Sequence, residues 1–317
     1  MNSNTDLALF RPRSSGGAIS CGYRLYTSAF RSIFRASWPV ALVYSLATAL
    51  TSSYFIAHVM PLAEMGTIVD PETMYALWRK TIAEWAALVV LFWAASVVLA
   101  SYGFSAMRQH LLTGEVGRPA HWYGQADKHT LGRLALTALW LLLFGALAAG
   151  VVGAMLLLAG KMQLTTLYAG AAVVGAALFF LMLPLAFTAY RSVLAKHFSL
   201  LPPVGGYLQG LSHLGMLFVV VLVTGLFTLL LTVICQLPAI ILYAANIQSQ
   251  LGVMHGDEPG MPQSMGLLSF VVFALATFIQ GYIQLSTLFP LYYVYGTLTK
   301  ESEDRMEARA NMNSAAI

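Results

Sequence analysis

The sequence predicts an all-α membrane protein: a polytopic helical bundle of six transmembrane helices, arranged as three repeats of an interfacial helix followed by a membrane hairpin. Three observations predict it. Of 317 residues, 58% are hydrophobic and only 9% are charged, whereas soluble domains carry about a quarter charged residues; the mean hydropathy is +0.72. Six apolar stretches, at 38–60, 82–107, 131–160, 165–190, 214–245 and 265–298, are each long enough to cross about 30 Å of hydrocarbon as a helix. The alternating pattern of a membrane barrel is missing from them, and in lipid only helices and closed barrels satisfy every backbone group.

The third observation is charge segregation. Arg11, Arg13, Arg24, Arg31 and Arg35 precede the first span, and Arg108, Arg118, Lys128 and Arg133 lie between the second and third. Arg191 and Lys196 lie between the fourth and fifth, and Lys300, Arg305 and Arg309 follow the sixth. The opposite side holds only Arg79, Lys80 and Lys161. Fourteen against three places both termini in the cytoplasm by the positive-inside rule. The net charge of +4 then belongs to a face held on anionic lipid and not to a nucleic-acid footprint.

Taken in order, residues 1–20 read as a flexible cytoplasmic tail because Ser14, Ser15, Gly16 and Gly17 are poor helix formers. The membrane domain runs over 21–299, in units at about 21–110, 118–196 and 203–299, and 300–317 is a charged cytoplasmic tail. The units are suggested by YTSAFRS from Tyr26, YGQADKH from Tyr123 and YLQGLSH from Tyr207, each preceding an apolar hairpin by about ten residues. In the first, Tyr26, Phe30, Ile33 and Phe34 share one side at helical spacing and the arginines gather on another, the pattern of a helix lying on headgroups. LPLAFTAY around Pro184 and FPLYYVY around Pro290 repeat at the ends of even spans, and each proline removes a helical hydrogen bond there. Gly145, Ala149 and Gly153 facing Ala171 and Gly175 predict the tightest helix contact, between spans three and four. Residues 61–81 and 246–264 read as long outer loops, and the Tyr and Phe stripes as lipid-facing packing.

Three polar stripes carry the functional reading. Ser45, Thr48 and Ser52 step by three and four on the first span, and Thr224, Thr228, Thr232 and Gln236 step by four on the fifth. On the sixth, Thr277, Gln280, Gln284 and Thr287 step by three, four and three, so each set lies on one helix face. An unpaired amide in lipid costs several kcal/mol, so these faces turn inward. They either hydrogen-bond helix to helix or line a polar cavity for a headgroup or small solute. Arg24, Arg31, Arg35, Lys128 and Arg133 are the expected headgroup-binding residues.

All thirteen Asp and Glu lie in tails, loops or span edges, which argues against the buried ionisable relay of ion-coupled carriers. His121, Asp127 and His129 in HWYGQADKH offer an acid and a base near the headgroups, yet their spacing does not set them on one helix face. The seven histidines show no metal-ligand spacing, Cys21 and Cys235 are not placed to pair, and no phosphate-cradling glycine loop occurs. No enzyme activity, cofactor, metal or nucleic-acid partner is expected. The expected partners are membrane lipid and other membrane proteins. The leading role is a non-enzymatic membrane scaffold or accessory subunit, and the alternative is a permease or lipid-handling subunit with a polar cavity lined by spans one, five and six.

With YTSAFRSIFRASWPVAL as lead and the LPLAFTAY and FPLYYVY exits, residues 20 to 300 resemble the bacterial six-span membrane proteins related to YciC. They are also similar to the membrane domain fused to some bacterial glycerophosphodiester phosphodiesterases, although this chain lacks a catalytic domain of that fused kind. The resemblance implies a multi-pass protein of the plasma (inner) membrane and transfers no functional residues.

Overall fold

The computed structural model describes residues 8–54, 71–114, 128–158, 164–194, 204–254 and 264–315. Apart from a few linking residues these are entirely helical: α1 (Ser15–Tyr54), α2 (Pro71–Thr113), α3 (Lys128–Leu158), α4 (Leu164–Leu194), α5 (Val204–Ser212), α6 (Leu214–Met254) and α7 (Ser264–Ala315). Among them five segments are long and apolar enough to cross a membrane, within α1, α2, α4, α6 and α7, and a shorter apolar segment, Leu131–Leu147, lies in α3. Their outward faces are apolar. On α6, Leu226, Leu229, Leu230, Val233, Ile234, Leu237 and Ile241 are exposed while Gln236, Ala239 and Tyr243 are buried. A contiguous apolar face of this length is what a helix presents to lipid and would aggregate in water.

Several helices run further than the apolar pattern alone predicts. α2 starts at Pro71, so residues 71–81 are helix and not loop: proline suits the first helical position, where its missing N–H has no partner to lose. α6 continues to Met254, which shortens the other predicted loop. The expected charged tail is likewise helical to Ala315, because its Glu, Arg, Met and Ala are good helix formers and Lys300 pairs with Asp304 one turn on. At 41 and 52 residues, α6 and α7 are about 62 and 78 Å long, well beyond the hydrocarbon thickness.

Two compact units divide the chain. One, the junction unit, comprises Met1–Ile33, Ser101–Gly225 and Ser286–Ile317; the other, the four-helix unit, comprises Phe34–Ala100 and Leu226–Leu285. α1, α2, α6 and α7 each contribute a stretch to both.

In the junction unit the C-terminal parts of α2 and α4 meet the middle of α7. Phe104 of α2 packs on Tyr190 of α4 with centroids 5.1 Å apart, and Phe187 of α4 on Tyr295 of α7 at 5.7 Å. Tyr190 donates to the Leu288 carbonyl at 2.6 Å and Tyr292 to the Met107 carbonyl at 3.0 Å. α3 and α5 both pack on α4. Two proline turns receive a neighbouring helix. A Cβ on Gly22 of α1 would overlap the Pro290 backbone, with Tyr26 on Phe289 beside it at 5.1 Å. A Cβ on Gly210 of α5 would lie 3.1 Å from Pro184, and Tyr207 donates to the Leu181 carbonyl. A proline pushes nearby carbonyls outward and supplies no N–H of its own, so its turn is a natural place for a close backbone or a hydroxyl.

Four expectations are corrected here. The first interfacial helix is not a separate element, since α1 runs unbroken from Ser15 through Pro39 to Tyr54. Its buried side, including Leu25, Tyr26, Ala29 and Ile33, lies against protein, with Phe30 and Phe34 more exposed. Residues 8–20 are not a loose tail. Ser14 accepts the Gly17 N–H, capping α1. Leu9 is buried against Gly296, the Arg11 carbonyl accepts from Thr297, and Arg13 lies over the Tyr293 ring while bonding the carbonyls of Ala8 and Leu9. The third correction concerns which residues make the contact between spans three and four: α3 and α4 do pack on each other, but a Cβ on Gly145 or Gly175 would meet nothing within 4 Å. Ala149, Gly153 and Ala171 lie outside the described side chains. The close approaches fall instead at Gly22, Gly210, Gly281 and Gly296, where a partner backbone or side chain occupies the space a Cβ would fill. Lastly, the tyrosines are not a lipid-facing stripe: Tyr44, Tyr243, Tyr282, Tyr292 and Tyr293 are all buried.

Candidate functional site

The predicted polar faces fall in the four-helix unit, with two exceptions: Thr224 of α6 and Thr287 of α7 belong to the junction unit. α1 is the helix to which the others bind. Ser37 shares a hydrogen bond with Tyr282 at 3.2 Å, Tyr44 donates to Gln284 Oε1 at 3.1 Å, and Thr277 reaches the Ser45 carbonyl at 3.4 Å, all linking α1 to α7. Ser53 meets Tyr243 of α6 at 2.9 Å, and Thr51 donates to the Leu88 carbonyl of α2. Tyr54 bonds Glu84 at the unit's edge. Gln236 of α6 donates from Nε2 to Gln280 Oε1 of α7. Each bond ties two helices that no hydrophobic force would distinguish from lipid.

The small hydroxyls of the predicted stripes behave differently. Ser45 donates to the Leu42 carbonyl, Thr48 to Tyr44 and Thr277 to Phe273, the back-bonding that lets a hydroxyl sit in an apolar helix. Ser52 and Thr232 are half-buried. Thr228 does not back-bond: its Oγ1 is inaccessible and has no protein partner, and the same holds for Oε1 of Gln236. Gln280 is half-buried and Gln284 exposed along its outer side, though its Oε1 is engaged by Tyr44.

The partners that sequence reasoning missed are Ser37, Ser53, Tyr44, Tyr243 and Tyr282. A phenol in an apolar run carries a hydroxyl that needs an acceptor when buried, so each tyrosine marked a helix contact. Ring packing supports the same pairs. Tyr243 stands edge-on to Phe273 at 5.0 Å, and Tyr44 packs on Phe92 at 5.6 Å. Gly281 lets Tyr44 and Leu99 approach to 3.2 and 3.1 Å of where its Cβ would stand.

Of the expected headgroup residues, Arg24, Arg31 and Arg35 are exposed on α1 and Arg133 is half-buried on α3. The Lys128 side chain, and all of His121 and Asp127, lie outside the described residues. In the junction unit two further arginines are committed to protein: Arg13 as above, and Arg191, which donates to Gln209 at 3.3 Å while Gln209 donates to the Leu298 carbonyl. His213, at the break between α5 and α6, lies 3.0 Å from Glu301. Buried His110 places Nδ1 3.1 Å from the Tyr292 oxygen, whose own proton goes to Met107.

No protein-family model, curated protein or solved structure matches the chain.

Proposed function

We propose that this chain is a six-span protein of the inner membrane, with both termini cytoplasmic, that acts without catalysis as a scaffold or accessory subunit packing with lipids and other membrane proteins. The observation that carries this reading is the use of the polar side chains of α1 and α7. Ser37, Tyr44, Ser45, Thr277 and Tyr282 are engaged by protein, which suits a rigid body better than a moving gate. The exposed Arg24, Arg31 and Arg35 supply a basic rim for anionic headgroups, each worth about 1 kcal/mol near a charged surface. The contacts of α1 on the Pro290 turn and of α5 on the Pro184 turn favour repeated units. Native mass spectrometry after mild-detergent extraction is the test. Phosphatidylglycerol retained by the wild type and lost with Arg24→Gln, Arg31→Gln and Arg35→Gln together supports it. Solute flux in proteoliposomes abolished by Gln280→Leu with Gln284→Leu refutes it.

A second reading, a permease or lipid-handling subunit, is favoured by one observation: the buried Oε1 of Gln236 has no protein partner.

A further inference from the structure

The three stripes do not treat their polar groups alike. In the stripes of α1 and α7 the hydroxyls of Ser45, Thr48 and Thr277 are returned to their own helix or given to a neighbour. On α6, Thr224 back-bonds to the Val220 carbonyl, but Thr228 Oγ1 and Gln236 Oε1 are sealed from the surface without a protein partner, and Gln236 is only 7% exposed. An amide oxygen has two lone pairs, and leaving it unsatisfied in an apolar interior costs about 1–3 kcal/mol. Turning the amide over does not help. With both glutamines reversed, Gln280 would donate to Gln236, and the nitrogen of Gln236 would become the group left over.

Thr228, Thr232 and Gln236 are consecutive at i, i+4 and so share one face over a rise of about 12 Å. A hydroxyl that declines its own i−4 carbonyl, followed one turn on by a second and then by an amide, offers acceptors and donors that water would satisfy. No charge belongs to this interior among the described residues: Arg35, Arg79, Lys80 and Glu84 of the same unit are exposed. A charged guest would therefore lose its hydration without a counter-charge.

We propose that Thr228 and Gln236, with half-buried Thr232 between them on α6, form a hydrated site that takes neutral hydrogen-bonding guests, water in the first instance. It rests on the premise of the second reading, that the Gln236 amide faces something other than protein. A sealed site satisfies it as well as an open path.

The experiment is water-edited solid-state NMR on the full chain in lipid vesicles, with threonine and glutamine labelled. Polarisation from water should reach the Thr228 and Thr232 methyls and the Gln236 amide at least about fivefold faster than the lipid-facing side chains of Leu230 and Ile234. Thr232→Val keeps the shape and removes one partner, so transfer to Gln236 should fall by at least about half while the other shifts stay in place. Transfer as slow as at Leu230, or unchanged by Thr232→Val, overturns the proposal. Stopped-flow permeation of glycerol and urea on the same vesicles separates the two ideas. A hydrated face without flux sinks the permease reading and leaves the hydrated site standing; a hydrated face with flux stopped by Gln236→Leu supports both.

Discussion

The interiors of the two compact units are held by different chemistry. In the junction unit the buried tyrosines give their protons to main-chain carbonyls, Tyr190 to Leu288 and Tyr292 to Met107, and half-buried Gln209 does the same to Leu298, beside side-chain pairs such as Thr137 with Ser192 and Arg191 with Gln209. In the four-helix unit most side-chain bonds between helices run from side chain to side chain: Ser37 with Tyr282, Tyr44 with Gln284, Ser53 with Tyr243, Gln236 with Gln280. A carbonyl is present whatever the sequence, so a main-chain partner survives substitution of its residue. A side-chain pair requires two matching residues, and losing either strands the other. Specificity in the second unit is therefore written in pairs. In the first it is written in glycines and in the shape of proline turns.

Breaking the glycine contacts should have the largest effect. Gly22→Val sets a branched side chain against the Pro290 backbone, which cannot yield, and should cost about 3 kcal/mol, the upper end of overpacking, or abolish folded yield in size-exclusion profiles. Next comes Tyr292→Phe, which strands His110 and the Met107 carbonyl and should cost about 1–3 kcal/mol in unfolding by a denaturing detergent. Tyr44→Phe, in the other unit, should cost less, about 0.6 kcal/mol, because its partner Gln284 has an exposed side open to other bonding. Gly145→Ala and Gly175→Ala should be neutral or stabilising by up to about 1 kcal/mol through helix propensity. A large loss at either would place that glycine inside the α3–α4 contact, as the small-residue spacing suggested.

Why some of this was legible follows from what each force reads. Lipid demands long uncharged helices, so the spans announced themselves through composition alone. The polar faces of α1, α6 and α7 were legible because a stripe at three- and four-residue spacing admits one inward direction. Which donor meets which acceptor was not, since it depends on how the helices register against one another. Serine and glycine mislead in opposite ways: Ser14, read as part of a tail, is an N-cap, and Gly145, read as a contact, faces open space. In both cases a residue type permits two uses, and only the neighbouring helix decides. The proline signal at Pro71 was readable and overlooked, because the helix it starts is too polar at first to resemble a span.

The account's central claim is that amides of the four-helix unit join helices. A double-mutant cycle of Gln236→Leu and Gln280→Leu, measured by detergent unfolding of the reconstituted protein, tests it most directly. Coupling of about 0.6 to 1.7 kcal/mol is predicted between the two substitutions. Strict additivity, with each change acting as though the other residue were leucine already, would contradict it.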